Sequence, residues 1–167
     1  LMIDNFPFEP IGYESLAISY LETAKYINAI EILKKAITIF PEEHYFYYYL
    51  GLCYRNSSKN QEAINYFLKA LKINPELKNV MHELAKLYNL ESDYESSDSL
   101  FTLLLENNIN DAMIMNDYAY IISEREENGY YKDLFDFFKR MDSRLTNKRV
   151  FEALVFGGGF DSITDAR

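Results

Sequence analysis

An all-α solenoid of about four antiparallel helical hairpins, closed by a C-terminal capping helix, is the fold that three features of this 167-residue chain predict. Apolar residues fall at helical steps of three and four along most of the sequence. One ordered set of large and small residues returns every 34 positions. Prolines and short polar clusters interrupt the pattern where a hairpin must turn.

The chain opens with an irregular lead-in, 1–10. Pro7 and Pro10 remove backbone donors there and force extended conformations on Phe6 and Glu9, while Phe6 and Phe8 are expected to cover one end of the core. From Ile11 the apolar positions Tyr13, Leu16, Ala17 and Tyr20, then Ile27, Ile30, Leu33 and Ile37, keep the helical period and predict helices over about 11–22 and 25–40. Pro41 ends the second, and Glu42 and Glu43 bring acidic charge to the positive end of the next helix dipole.

The repeat can be counted directly. Tyr13, Tyr47, Met81 and Met115 are separated by that one constant interval, as are Leu16, Leu50, Leu84 and Tyr118. Small residues follow at Ala17, Gly51, Ala85 and Ala119, then Tyr20, Tyr54, Tyr88 and Ile122. In the second helix of each unit, Ala29, Ala63 and Ser97 keep step, as do Leu33, Phe67 and Phe101. A fixed period of this length means that each hairpin buries its apolar face only against its neighbours. The small side chains let two helix backbones approach, and the rings fill the space between hairpins. Tyr47, Tyr54 and Phe67 are accordingly expected in the core.

Tyr47, Leu50–Gly51, Tyr54, Ala63, Phe67, Ala70 and Pro75 together resemble the tetratricopeptide repeat, with Tyr where that family usually has Trp. The preceding unit matches through Tyr13, Leu16–Ala17, Tyr20, Ala29, Leu33, Ala36 and Pro41. The third departs at Leu104 and Ile109, where a small residue and Pro are expected. The fourth starts in register, but its turn, Asn128-Gly129, comes three residues late, so its first helix should be about one turn longer and Leu134, Phe138 and Met141 should take the second-helix positions. The array is thus placed at 11–141, in units 10–43, 44–77, 78–111 and 112–143. A cap over 144–156 and a flexible tail over 157–167 follow from periodicity and from Gly157-Gly158-Gly159. The resemblance implies a right-handed superhelix and a non-catalytic role in protein–protein interaction.

Composition narrows the partner. With 49 % apolar residues the chain can bury a continuous core, and a formal charge of −9 sets up a field that repels phosphate backbones and anionic headgroups. Nucleic acid is therefore not expected as a ligand, nor is direct membrane insertion, since no run approaches the roughly 20 apolar residues that span a bilayer. The N-terminus has no basic region followed by an apolar stretch, so the chain reads as soluble and untargeted, with a processed or larger parent left open. The single Cys53 cannot form an internal disulfide, which favours cytoplasm slightly over a periplasmic or secreted location.

Chemistry-bearing residues are sparse. His44, His82 and Cys53 do not lie at ligand spacing, so no metal, cofactor or nucleophilic site is expected, and Cys53 reads as a buried, inert thiol. The glycine triplet follows a helix and lacks the context of a phosphate loop. Ser92 to Ser99 reads as a helix start, where Ser and Asp cap free amides.

The remaining candidate is the concave groove that the resemblance implies. Counting from the repeat motif, its lining is Ile11, Glu14, Ile18 and Leu21; Tyr45, Tyr48, Leu52 and Arg55; Asn79, His82, Lys86 and Asn89; and Met113, Asn116, Tyr120 and Ser123. The first two sets are mainly apolar and aromatic, the third polar and partly cationic. They predict a protein or peptide segment with apolar anchors near Tyr45, Tyr48 and Leu52 and its carboxylate or carbonyls near Arg55, Lys86 and Asn89. A two-carboxylate clamp for chaperone tails is disfavoured: this chain has Glu14, Ile18, Tyr49, Asn79 and Glu83 where that clamp needs amides and cations. The alternatives are self-assembly through end faces, giving a homo-oligomer, or a docking domain of a larger protein.

Overall fold

The computed structural model describes residues 9–107 and 111–127. Among them are seven helices and no strand: α1 (Pro10–Glu22), α2 (Tyr26–Ile39), α3 (His44–Asn56), α4 (Asn60–Ile73), α5 (Lys78–Leu90), α6 (Tyr94–Asn107) and α7 (Ala112–Glu127). They fall into two compact units that part between Leu87 and Tyr88, inside α5. In the first unit α1 packs on α2 and α3 on α4, with α3 also against α1 and α2; in the second, α6 packs on α7. The lead-in, the second helix of the fourth hairpin, the cap and the glycine tail lie outside the described residues.

The period is present in the backbone itself. Ala24, Ser58 and Ser92, each one full repeat from the next, sit in the left-handed region with φ of 54°, 56° and 62°. At each of them the helix before closes in the same way. The amides of Lys25, Lys59 and Asp93 donate to the carbonyls of Tyr20, Tyr54 and Tyr88 at 2.8, 3.0 and 2.8 Å, and Ala24, Ser58 and Ser92 donate to Leu21, Arg55 and Asn89 at 3.0, 2.9 and 3.0 Å. One left-handed residue thus satisfies carbonyls that the helix end would leave open and reverses the chain. Glycine, the residue that adopts this conformation without steric cost, is absent from all three corners.

Helix starts are less uniform. Pro10 opens α1, where a missing amide costs nothing. Asp93 caps α6 by accepting from the Ser96 amide at 3.2 Å, the role expected of the Ser92–Ser99 stretch, and Asp111 caps α7 through Met113 and Ile114 at 3.2 and 3.3 Å. The α2 and α4 starts, at Lys25 and Lys59, have no side-chain cap. Helix α7 has 16 residues against 13 in α1, α3 and α5, the extra turn that the late Asn128-Gly129 predicts.

The core uses the expected small residues, Ala17, Ala29, Ala36, Gly51, Ala63, Ala70 and Ala85, with Leu33, Leu50, Phe67, Leu84 and Phe101 between them, all buried. Leu104 is also buried in place of the small residue expected there. Cys53 is enclosed, and loss of water pushes its thiol up to about 12, the inert state expected. Two ring assignments need correction, the first at Tyr20, which is half-buried rather than in the core. Tyr47 is only half-buried and its hydroxyl donates to the Pro41 carbonyl at 2.9 Å, whereas its neighbour Phe46 is fully enclosed. Phe46 belongs to a second register with the same period, Phe46, Val80 and Ile114 with Cys53, Leu87 and Ile121, all buried. In the first unit Phe46 meets Phe40, at the end of the preceding hairpin, at 6.2 Å, where α3 packs on both α1 and α2.

Candidate interaction surface

The proposed lining distributes over the first helices of the hairpins. On α1, Ile11 is exposed and Glu14, Ile18 and Leu21 are half-buried; on α3, Tyr45, Tyr48, Leu52 and Arg55 are all half-buried. On α5, Asn79 is exposed, Lys86 and Asn89 are half-buried, and His82 is buried at 5 % exposure, so its ring offers little surface to a ligand. On α7, Met113, Asn116 and Tyr120 are exposed, and the side chain of Ser123 lies outside the described residues.

Within the first unit, polar side chains tie neighbouring first helices together. The Tyr49 hydroxyl of α3 donates to Glu14 Oε1 of α1 at 3.3 Å. One repeat later, Glu83 of α5 forms an ion pair with Arg55 of α3, whose Nε and Nη2 also donate to Asn56 Oδ1 at 3.3 and 3.1 Å. Tyr49 and Glu83 occupy equivalent positions in successive repeats and adjoin the lining positions Tyr48 and His82. Sequence alone marks them only as departures from a carboxylate clamp, and the repeat count is the signal that pairs them.

The rings of α3 pack in two groups. The Tyr45 ring lies 4.6 Å from Phe46, Tyr48 lies 5.4 Å from Tyr49 at 46°, and Tyr48 reaches Phe67 of α4 at 6.0 Å. Packing therefore fixes the ring planes rather than leaving them to swing in solvent. Burial, with the nearby Glu43 and Glu14 carboxylates, pushes the Tyr45 phenol up to about 12; burial and Glu14 do the same to Tyr49. Both remain neutral hydroxyls at any physiological pH.

The second unit is organised by a residue that the sequence does not single out. Arg125 of α7 is 4 % exposed; its Nη1 pairs with Asp98 Oδ1 at 2.7 Å, Nε donates to Asn89 Oδ1 at 2.6 Å and Nη2 to the buried Ser97 Oγ at 3.2 Å. Its guanidinium also lies 4.5 Å from the Tyr94 ring centre. Asn89, expected to meet ligand, is thus engaged inside the protein. No counterpart in the period announces Arg125, because its equivalent one repeat earlier is Glu91.

Among the described residues no group of three His, Cys, Asp or Glu is placed to hold a metal, and no helix is long and apolar enough to cross a membrane. Comparison with known proteins gives two kinds of match. Models of the tetratricopeptide repeat match residues 12–43 and 44–77, and a model of the helix-hairpin-helix motif matches 108–167, which takes in the end of the third unit and the ranges read above as the fourth unit, cap and tail. The crystal structure of MamA is similar with a TM-score of 0.71 at 16 % identity, over 93 % of this chain and 84 % of that one. YrrB, a TPR protein with an unusual peptide-binding site, is similar with a TM-score of 0.68 at 15 % identity, over 99 % of this chain and 92 % of its own. The Yersinia enterocolitica secretion chaperone SycD, in complex with a peptide of the translocator YopD, is similar at 0.59 and 16 % identity, over 70 % of this chain and 88 % of its own. These likenesses establish the all-α, repeat-solenoid fold. Among curated proteins, the DNA polymerase III alpha subunits of Staphylococcus epidermidis and Pasteurella multocida are 43 % and 46 % identical over 47 and 43 residues, or 28 % and 26 % of this chain. This chain spans only 4 % of the length of those relatives.

Proposed function

We propose that this chain, which belongs to the tetratricopeptide-repeat family through the consecutive repeats of residues 12–43 and 44–77, is a non-catalytic scaffold that holds a segment of a partner protein against the first helices of its hairpins. The observation that carries this reading is the half-buried set Tyr45, Tyr48 and Leu52 on α3, a helix tied to α1 by the Tyr49–Glu14 hydrogen bond. Contiguous partly exposed rings at positions the core does not need mark interaction sites more often than scattered surface residues do. Peptide binding by SycD and YrrB, which share the fold, supports the same class of work. The segment brings apolar anchors to Tyr45, Tyr48 and Leu52 and a polar end to Lys86.

A photo-crosslinking residue at position 48, with one at the exposed position 35 of α2 as the control, tests this in cells. The expected result is one partner captured from position 48 and not from 35. The purified partner's affinity should then fall about tenfold or more in Tyr48→Ala and in Lys86→Glu. Equal capture at both positions, or unchanged affinity in both variants, rejects the groove.

A second reading covers the C-terminal part. The helix-hairpin-helix match over 108–167 favours a segment with its own task, for which the repeats serve as a docking module. The stretch 139–149 carries Lys139, Arg140, Arg144, Lys148 and Arg149 against the single acid Asp142, in an otherwise acidic chain. Fluorescence anisotropy with a labelled DNA duplex at graded salt decides it: affinity that falls steeply with salt supports a polyanion-binding segment, and no change in anisotropy rejects it.

A further inference from the structure

Glu14 stands where α1 meets α3, half-buried among tyrosines. Its carboxylate accepts one hydrogen bond, from the Tyr49 hydroxyl. A carboxylate offers roughly four acceptor directions, so this bond fixes its orientation and leaves acceptor capacity in hand. Glu43, like Glu14, lies within electrostatic reach of the Tyr45 phenol. One repeat along, the situation is reversed: Arg55 has its charge matched by Glu83. Between α3 and α5 a carboxylate thus meets a cation, whereas between α1 and α3 a carboxylate meets a tyrosine hydroxyl.

The walls around that charge are aromatic. Tyr45 and Tyr48 are half-open rings, and Tyr48 is held against Tyr49 and Phe67 on its closed side. A carboxylate oriented by Tyr49, on the helix whose neighbour carries the half-open rings Tyr45 and Tyr48, suits a guanidinium, which stacks on aromatic planes while its N–H groups reach carboxylate oxygens. Resting on the groove reading above, we infer that Glu14, Tyr45 and Tyr48 form a subsite for an arginine side chain of the partner segment, with Tyr49 positioning Glu14. The partner is then a basic segment with apolar residues next to its arginine, a chemistry that also matches the chain's net charge of −9.

Random dodecapeptides displayed on phage, selected separately on the full chain and on Glu14→Gln, test this. Glu14→Gln keeps an acceptor for Tyr49 and is expected to melt as the parent does. Selection on the parent should enrich arginine at one position, and selection on the variant should not. A selected peptide resynthesised with citrulline in place of that arginine should bind the parent about tenfold or more weakly and bind Glu14→Gln equally in both forms. If selected peptides lose affinity in Tyr48→Ala and Leu52→Ala, yet carry no enriched arginine or tolerate citrulline, the subsite is wrong and the groove stands. If their affinity is unchanged in Tyr48→Ala and Leu52→Ala, or nothing is enriched, both fail.

Discussion

Gly51 and Phe67 make the sharpest test of how the α3–α4 hairpin is built. Gly51 lies in the interior of α3, where replacement by Ala ordinarily stabilises a helix by about 1 kcal/mol. Here a Cβ would fall inside the van der Waals envelope of Phe67 Cδ1 and Cε1 and within 2.9 Å of Cζ, against the ordinary carbon–carbon contact of about 3.5–4.0 Å. Phe67 is fully enclosed and its ring also meets Tyr48, so it has no open direction in which to yield. Overpacking of this kind costs about 1–3 kcal/mol. Gly51→Ala should therefore be destabilising by up to about 2 kcal/mol after the propensity gain, and Gly51→Leu, which adds three more carbons, by the upper end of that range or beyond. The decisive measurement is a double-mutant cycle by urea unfolding. In a Phe67→Leu background the ring atoms that meet the new Cβ are gone, so Gly51→Ala should change sign and stabilise by about 1 kcal/mol. If Gly51→Ala stabilises the parent as much as it stabilises the Phe67→Leu chain, close approach at this position is not what selects glycine.

Three further outcomes follow from other sites. Ala24→Gly, Ser58→Gly and Ser92→Gly should each stabilise by about 0.5–1 kcal/mol, the left-handed strain removed less the extra freedom of glycine in the unfolded chain; urea midpoints should add across the triple variant because each site lies in a different hairpin. Cys53 has a folded pKa of about 12 against 9.0, so its contribution is full below pH 9 and is lost as the pH climbs toward 12. At about 1.4 kcal/mol per unit this is roughly 4 kcal/mol, seen as a steeper alkaline loss of stability in the parent than in Cys53→Ala. A thiol reagent at neutral pH should react with Cys53 only on unfolding. Arg125→Met should cost about 2–4 kcal/mol by stranding Asp98 and the enclosed Ser97. Adding Ser97→Ala, the residue type that the first two hairpins carry at this position, should recover part of the loss in a thermal melt.

What is legible in the sequence is the part governed by repetition. One count places Ala17, Ala29, Gly51, Ala63, Leu33, Phe67 and Phe101 in the core, because a fixed period leaves each of them only one neighbourhood to fill. Tyr47 and Phe46 exchange roles for a physical reason: the count locates a helix face to within one position, and a tyrosine one step off the buried stripe gains by turning its hydroxyl to the Pro41 carbonyl while phenylalanine has nothing to gain from water. Of the surface, Tyr45, Tyr48 and Leu52 are readable as rings and an aliphatic at positions not needed by the core. The links Tyr49–Glu14 and Arg55–Glu83 are not, since they depend on how adjacent first helices sit side by side, which no single-helix periodicity encodes. Arg125 is illegible for the opposite reason: its partners Asn89, Ser97 and Asp98 lie on other helices, far back along the chain, and none of them repeats in kind.

The three left-handed corners also bear on how the chain reaches this structure. Each closes through hydrogen bonds that span no more than five residues, so forming one requires almost no loop-closure entropy and does not wait for a distant part of the chain. Three such starting points of similar strength mean that folding need not pass through one obligatory nucleus, and contacts this local favour microsecond-to-millisecond rates. A lesion at one corner then diverts the order of events toward the other two instead of stopping it, and the chain tolerates in kinetics what it cannot in packing at Gly51.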